Sequence, residues 1–241
     1  VAVQHKRSAP NVARRALSSL HSAMAKAEGE VTVAVRHLQD GDQIVAAWPG
    51  YVDAAYGIAV DVGSTTVAGH LCELKSGEIV ASYGLMNPQI RFGEDLMSRV
   101  SYVMMNPGGE VELTKAIRAA LNEMISGLIT KAEVDVERVL EITIVGNPIM
   151  HHIVLGIDPT PLGMAPFVLA TSESVSGWAN ELDLKLPNAS YYVGPCIAGH
   201  VGADTAAAIL AEGPHRSKEM QLLVDIGTNA EIVLGNTEQQ F

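Results

Sequence analysis

Cysteine is nearly absent from this chain, basic residues are few, and no long apolar run occurs. Its 241 residues contain two cysteines, Cys72 and Cys196, with no Cys-x-x-Cys pair. An iron–sulfur cluster takes four thiolates, so this segment cannot hold one by itself. A disulfide between the two is not expected in a chain that otherwise reads as cytoplasmic. Sixteen Lys and Arg face 27 Asp and Glu, for a formal charge of −11 and a pI near 5.1. Nucleic acid and anionic membranes reward basic surfaces, and neither is an expected partner. No apolar stretch approaches the roughly 18 residues of a membrane-spanning helix. The N-terminal VAVQHKRSAPNVARR is basic but lacks the apolar core of a secretion signal. It also lacks an initial Met, which points to an excised segment. A Gly-x-x-x-x-Gly-Lys-[Ser/Thr] motif is missing, which excludes a P-loop. What is present is 48% apolar content, enough for a full core in one large or two smaller domains.

The feature that carries most information occurs twice. Residues 57–69 read GIAVDVGSTTVAG and residues 222–235 read LLVDIGTNAEIVLG. In each, a short strand expected to be buried (Ile58 to Val60; Leu222 to Val224) delivers an Asp to its end, and a glycine then opens a tight turn. Asp61 and Asp225 lie 164 positions apart, too far for solenoid repeats and right for two related lobes. Gly63, Ser64, Thr65 and Thr66 in the first copy, and Gly227, Thr228 and Asn229 in the second, offer backbone amides and side-chain donors. A polyphosphate needs that many short donors to match its charge. The two aspartates would repel phosphate, so their expected partner is Mg²⁺, held directly or through water, and one of them is placed to orient an attacking water. A single Asp-x-Gly-[Ser/Thr] turn is common without any ligand. Two copies on matched strand–turn–strand frames favour function.

DVGSTT and DIGTNA resemble the two phosphate motifs of the acetate and sugar kinase, heat-shock ATPase and actin superfamily. GIAVDVGSTTVAGHLCEL, NPQIRFGEDLMSRV, VGNPIMHHIVLGIDPTPLG and GHVGADTAAAIL together are similar to the C-terminal ATPase region of the reductive activators of corrinoid proteins, over roughly residues 55 to 241. The resemblance implies an α/β fold: a ribonuclease-H-like lobe with a small N-terminal α/β module and the start of a second, incomplete lobe. Its expected divisions are a partial linker module at 1–53, the first ATPase lobe at 54–217 and the opening of the second at 218–241. It implies ATP and Mg²⁺ as cofactors and a methyltransferase corrinoid protein as partner. Electrons would arrive from a two-iron ferredoxin-like domain outside this segment, and ATP would drive cobalt(II) to cobalt(I). A homodimer is left open. Because the adenosine-holding motif of the family follows the second hairpin, the segment alone is expected to bind ATP weakly or not at all. The alternatives are a small-molecule kinase of the same fold, for sugars or short acids, and a non-catalytic nucleotide-binding assembly module.

The remaining pattern fills in around the doublet. Leu17, Leu20 and Met24 have helical spacing after a boundary at Ser8, Pro10 and Asn11. VTVAVRHL and QIVAAWPG form a hairpin about Asp40-Gly41, and Lys6, Arg7, Arg14 and Arg15 read as solvated. GIAVDV, TVAGHLCEL and EIVASYGL read as three successive strands. The stripe Leu113, Ile117, Ala120, Leu121, Met124 and Leu128 reads as a helix, and VLEITIVGN as a buried parallel strand. Asn147 follows that strand and suits a helix N-cap, a phosphate or water contact, or both. His151 and His152 diverge by about 100° on a helix, so they are expected not to share a metal. NPQIRFGEDLMSR carries Arg91, Glu94, Asp95 and Arg99, which suit an exposed charged helix or a specialised partner-facing or interlobe role. DPTPLGMAPF is a constrained loop expected over the sheet edge. The glycine-rich GPCIAGHVGAD suits either an anion cradle or close helix–strand approach.

Overall fold

The computed structural model describes residues 10–26, 30–38, 41–227 and 230–239. Three sheets follow one another along the chain. The first joins β1 (Asn11–Val12), β3 (Gly41–Pro49) and β2 (Val31–Leu38) in that spatial order, with helix α1 (Ala16–Lys26) packed on β3. The β2–β3 hairpin is as expected, although residue 40 of its turn lies outside the described residues. The helix differs from its sequence pattern. Its buried face is Ala16 and Ala23, while Leu17 and Met24 are exposed, because only small side chains let α1 approach the apolar run Val45–Trp48 closely. It also starts later, since residues 11–12 pair with β3 instead. Ser8, Lys6 and Arg7 lie outside the described residues.

The central sheet has six strands in the order β6-β5-β4-β7-β9-β8. Strands β4 (Tyr56–Val62), β5 (Thr66–Glu73) and β6 (Ile79–Met86) form an antiparallel meander, as their alternation implies. Two helices follow, α2 (Leu96–Met105) and α3 (Gly109–Ala132), and the chain returns as β7 (Val139–Val145), parallel to β4. Strand β9 (Ser190–Val193) continues parallel to β7, and short β8 (Val175–Trp178) closes the edge; neither was evident from periodicity. Helix α3 buries the whole stripe from Leu113 to Leu128. It lies directly on β5 because Gly69 has no Cβ, which would sit 2.5 Å from Met124 Sδ. Helix α4 (Pro148–Leu155) is buried along nearly its full length beside α3. The loop at 158–167 packs on α2, with Gly163 against Val100, rather than over the sheet edge.

Helix α5 (Ala203–Glu212) connects this sheet to a third, two-stranded one, β10 (Gln221–Ile226) with β11 (Ala230–Gly235). The expected burial of Leu222 and Val224 is not found. They are 63% and 43% exposed, because one face of the ribbon is uncovered. The first module docks on the central sheet through Arg15, which is not simply solvated. Its guanidinium lies 3.9 Å from the Trp178 ring and donates to Pro187 O and Asn180 Oδ1, while Arg36 donates to Ser190 Oγ. Cys72 and Cys196 are both free, and burial pushes the Cys196 thiol up to about 11. Among the described residues no helix is long and apolar enough to cross a membrane.

Candidate functional site

Strands β4 and β7 run parallel and adjacent, so their C-terminal ends reach the same side of the sheet. Asp61 is the penultimate residue of strand β4, which is followed by a turn so tight that a Cβ on Gly63 would meet Thr66 O at 2.6 Å. Strand β7 leads to Gly146 and Asn147. A Cβ on Gly146 would meet Val62 O at 2.8 Å, so the two strand ends abut. Asn147 caps α4, accepting from the Met150 amide at 3.0 Å, and it also lines the site. The Ala203 amide donates to Gly146 O at 3.0 Å, which seats the start of α5 beside the same edge. Gly202 provides the clearance there. Its Cβ would come within 2.5 Å of Gly146 O and 2.6 Å of Asn147 Cα, so this glycine serves close helix approach.

One cavity of about 470 Å³ gathers these ends: Asp61, Gly63, Ser64, Thr65, Thr66, Asn147, Asp204, Asp225, Gly227 and Glu231 line it. The structure therefore brings Asp61 and Asp225, and the glycine turns beside them, to one space. Thr228 and Asn229 fall outside the described residues. Two lining carboxylates escaped the sequence reading. Asp204 sits in the first turn of α5; its signal was an acid directly after a glycine-rich loop. Glu231 pairs with Asp225 across the second hairpin.

The cavity is acidic, and among the described residues no Lys or Arg lines it. Burial in its walls, then the charges of Asp204 and Asp225, push the Asp61 pKa up to about 6. Burial likewise raises Asp204 and Glu231, with Asp225 adding to both shifts. Crowded carboxylates of this kind disfavour each other's charge, and a hard divalent cation relieves the conflict. Among the described residues no three His, Cys, Asp or Glu close into a cage able to hold a metal directly. The donor set fits an ion that keeps waters and shares phosphate oxygens, the usual habit of Mg²⁺.

The histidine pair is structural. Both rings are buried, and His152 accepts from the Ala170 amide at Nε2 while its Nδ1 lies 2.7 Å from Pro148 O, which fixes a neutral tautomer. Arg99, for which an exposed charged helix and a specialised partner-facing or interlobe role were both open, is fully buried behind the 63–66 turn. Exposure would waste its fork, whereas burial lets it donate to four acceptors: Gly93 O at 3.1 Å, Gln89 Oε1 at 3.4 Å, Met150 Sδ at 3.5 Å and Ser64 O.

A family model described as the RACo middle region matches residues 56–217, the central sheet with its helices. The corrinoid activation enzyme RamQ of Eubacterium limosum is 35% identical over 187 residues, covering 77% of this chain and 31% of that protein. A solved structure titled as a reductive activator for corrinoid, iron–sulfur protein superposes with a TM-score of 0.87 at 31% identity, covering 99% of this chain and 38% of that one. The α/β fold is thus that of a lobe of the actin-like ATPase superfamily. The chain spans about a third of the length of these relatives.

Proposed function

The chain belongs to the RACo middle region family, and on that footing we propose that it forms part of an ATP-driven reductive activator of a methyltransferase corrinoid protein. The observation that carries this reading is the one cavity shared by two Asp-x-Gly turns from strands far apart in sequence. Ser64, Thr65, Thr66 and Asn147, with Thr228 and Asn229 of the second turn, bind the phosphates. Asp61 and Asp225 hold the hydrated cation and orient water, and Asp204 faces the same point. A Mg²⁺ held there would neutralise polyphosphate charge and polarise the phosphoryl group. The working division of the chain is 1–53, 54–217 and 218–241.

A nucleotide touching both turns draws their hairpins together, and its loss lets them part. Two conformers with different affinity for a corrinoid partner are enough to couple nucleotide to redox state. That coupling meets a real need, because cobalt(II) is hard to reduce to cobalt(I) with biological donors. Electrons come from an iron–sulfur domain outside this segment.

The acidity of the cavity gives a direct test. In the protein that carries this chain, Mg-ATP binds far more tightly than ATP in the presence of a chelator, measured by titration calorimetry. Asp61→Asn lowers the ratio of those two affinities by about tenfold or more, since one neutralised charge both weakens the cation and relieves repulsion of bare phosphate. An unchanged ratio removes Asp61 from the site. Phosphorylation of a sugar or short acid in a substrate screen would favour a small-molecule kinase instead.

A further inference from the structure

The segment 87–99 is not part of the cavity, yet it holds the cavity's first turn from behind. The carbonyl of Gly63 accepts from Asn87 Nδ2 at 2.9 Å, that of Thr65 from the Asn87 amide at 2.8 Å, and that of Ser64, between them, from Arg99 Nη2. Three consecutive carbonyls of the turn are thus tied to one short segment. Asn87, Gln89 and Arg99 are all fully buried, so these ties are shielded from water. Gln89 steadies the arrangement by donating to Leu113 O of α3 at 2.9 Å while it accepts from Arg99.

In a planar trans peptide the carbonyl and the following amide point in opposite directions. With the carbonyls of 63, 64 and 65 directed at Asn87 and Arg99, the amides of 64, 65 and 66 are directed away from them, and residues 63–66 line the cavity. Arg99 has a second peculiarity. Among the described residues it forms no ion pair, and its acceptors are carbonyls, an amide oxygen and the Met150 sulfur. Asp95 acts on this buried guanidinium through its field without a direct ion pair, and only one turn of backbone separates the charge of Arg99 from the cavity.

We propose that Asn87 and Arg99 are positioning residues for phosphate: they fix the 63–66 turn with its amides toward the cavity, and Arg99 sets a buried positive charge behind the bound polyphosphate. This rests on the nucleotide reading above for its ligand, while the tether itself stands on geometry alone.

The test has two arms. Hydrogen-exchange mass spectrometry on this chain compares wild type with Asn87→Ala, Arg99→Met and Arg99→Lys. Loss of a tether speeds exchange of the residue-87 amide bonded to Thr65 O, and of the ends of β4 and β5 that flank the turn, by about tenfold or more while β7 and α3 keep their protection. Unchanged exchange in every folded variant overturns the tether. If Arg99→Met does not fold, Asn87→Ala and Arg99→Lys carry this arm, since Lys keeps the charge without the fork. The second arm measures Mg-ATP and adenosine affinity in the longer protein. Arg99→Met and Arg99→Lys weaken Mg-ATP about 10- to 100-fold, Lys less than Met, and leave adenosine unchanged. Equal loss of both ligands, or wild-type Mg-ATP affinity, overturns the phosphate role. A wild-type protein that binds no Mg-ATP removes the nucleotide reading, and the exchange arm still decides the tether.

Discussion

His151 is the residue whose environment most contradicts its chemistry. It is 2% exposed, and among the described residues neither ring nitrogen has a hydrogen-bond partner at normal distance. Burial, then the neighbouring His152, pushes its pKa down to about 4, with the Gly194 backbone opposing. The folded value lies below the unfolded one near 6.5, so the unfolded chain takes up the proton first as pH falls. The contribution of His151 to stability is therefore intact above pH 6.5 and is lost between there and pH 4, by about 3 kcal/mol. Denaturant melts of His151→Leu should show a flatter fall in stability across that window than wild type. At pH 7 the variant should be as stable or more so, since an apolar group replaces an unsatisfied polar one. A fall identical to wild type would show that acid acts elsewhere.

At the scale of elements, the site exists because three chain ends are allowed to touch. The end of β4, the end of β7 and the start of α5 meet at Gly63, Gly146 and Gly202, where added Cβ atoms would strike backbone. Backbone cannot rotate aside, so Gly202→Ala is expected to cost about 1–3 kcal/mol in thermal or denaturant melts. It should also displace Asp204 and weaken Mg-ATP. Gly84 provides the control. Its nearest neighbour would be Val67 O at 3.8 Å, an ordinary contact, so Gly84→Ala should stay within about 0.5 kcal/mol of wild type. Equal losses for the two would mean that Gly202 is not a packing constraint.

Over the whole molecule, stability is unevenly spread. The central sheet is covered by α3 and α4, whereas β10 and β11 form a ribbon with one bare face. Register sets Leu222 opposite Leu234, Val224 opposite Ile232 and Ile226 opposite Ala230, so these six share one side, and all are exposed. The other side, with Leu223, Asp225, Glu231 and Val233, turns inward toward α5 and the cavities. A two-stranded ribbon is marginal without support. Amide exchange should accordingly open 221–235 well before β4 and β7. If the cavity binds Mg-ATP, saturating ligand should slow exchange in this ribbon and in the 63–66 turn together. Protection of one turn alone would argue against a ligand shared by both.

The paired Asp-x-Gly turns, the β4–β6 meander, the stripe of α3 and the cap at Asn147 were legible in the sequence by itself, because each depends on neighbours a few residues away. Periodicity, turn chemistry and capping are local rules. What faces what is not local, and only the tertiary structure decided it. Asp204 is an ordinary acid in an alanine-rich helix until α5 is seated on Gly146. Arg99 reads as a surface charge until its partners, 35 residues upstream at Ser64 and 10 at Gln89, close around it. Leu17 and Leu222 looked like core residues because hydrophobicity says that a side chain gains from burial, not that a surface is there to bury it.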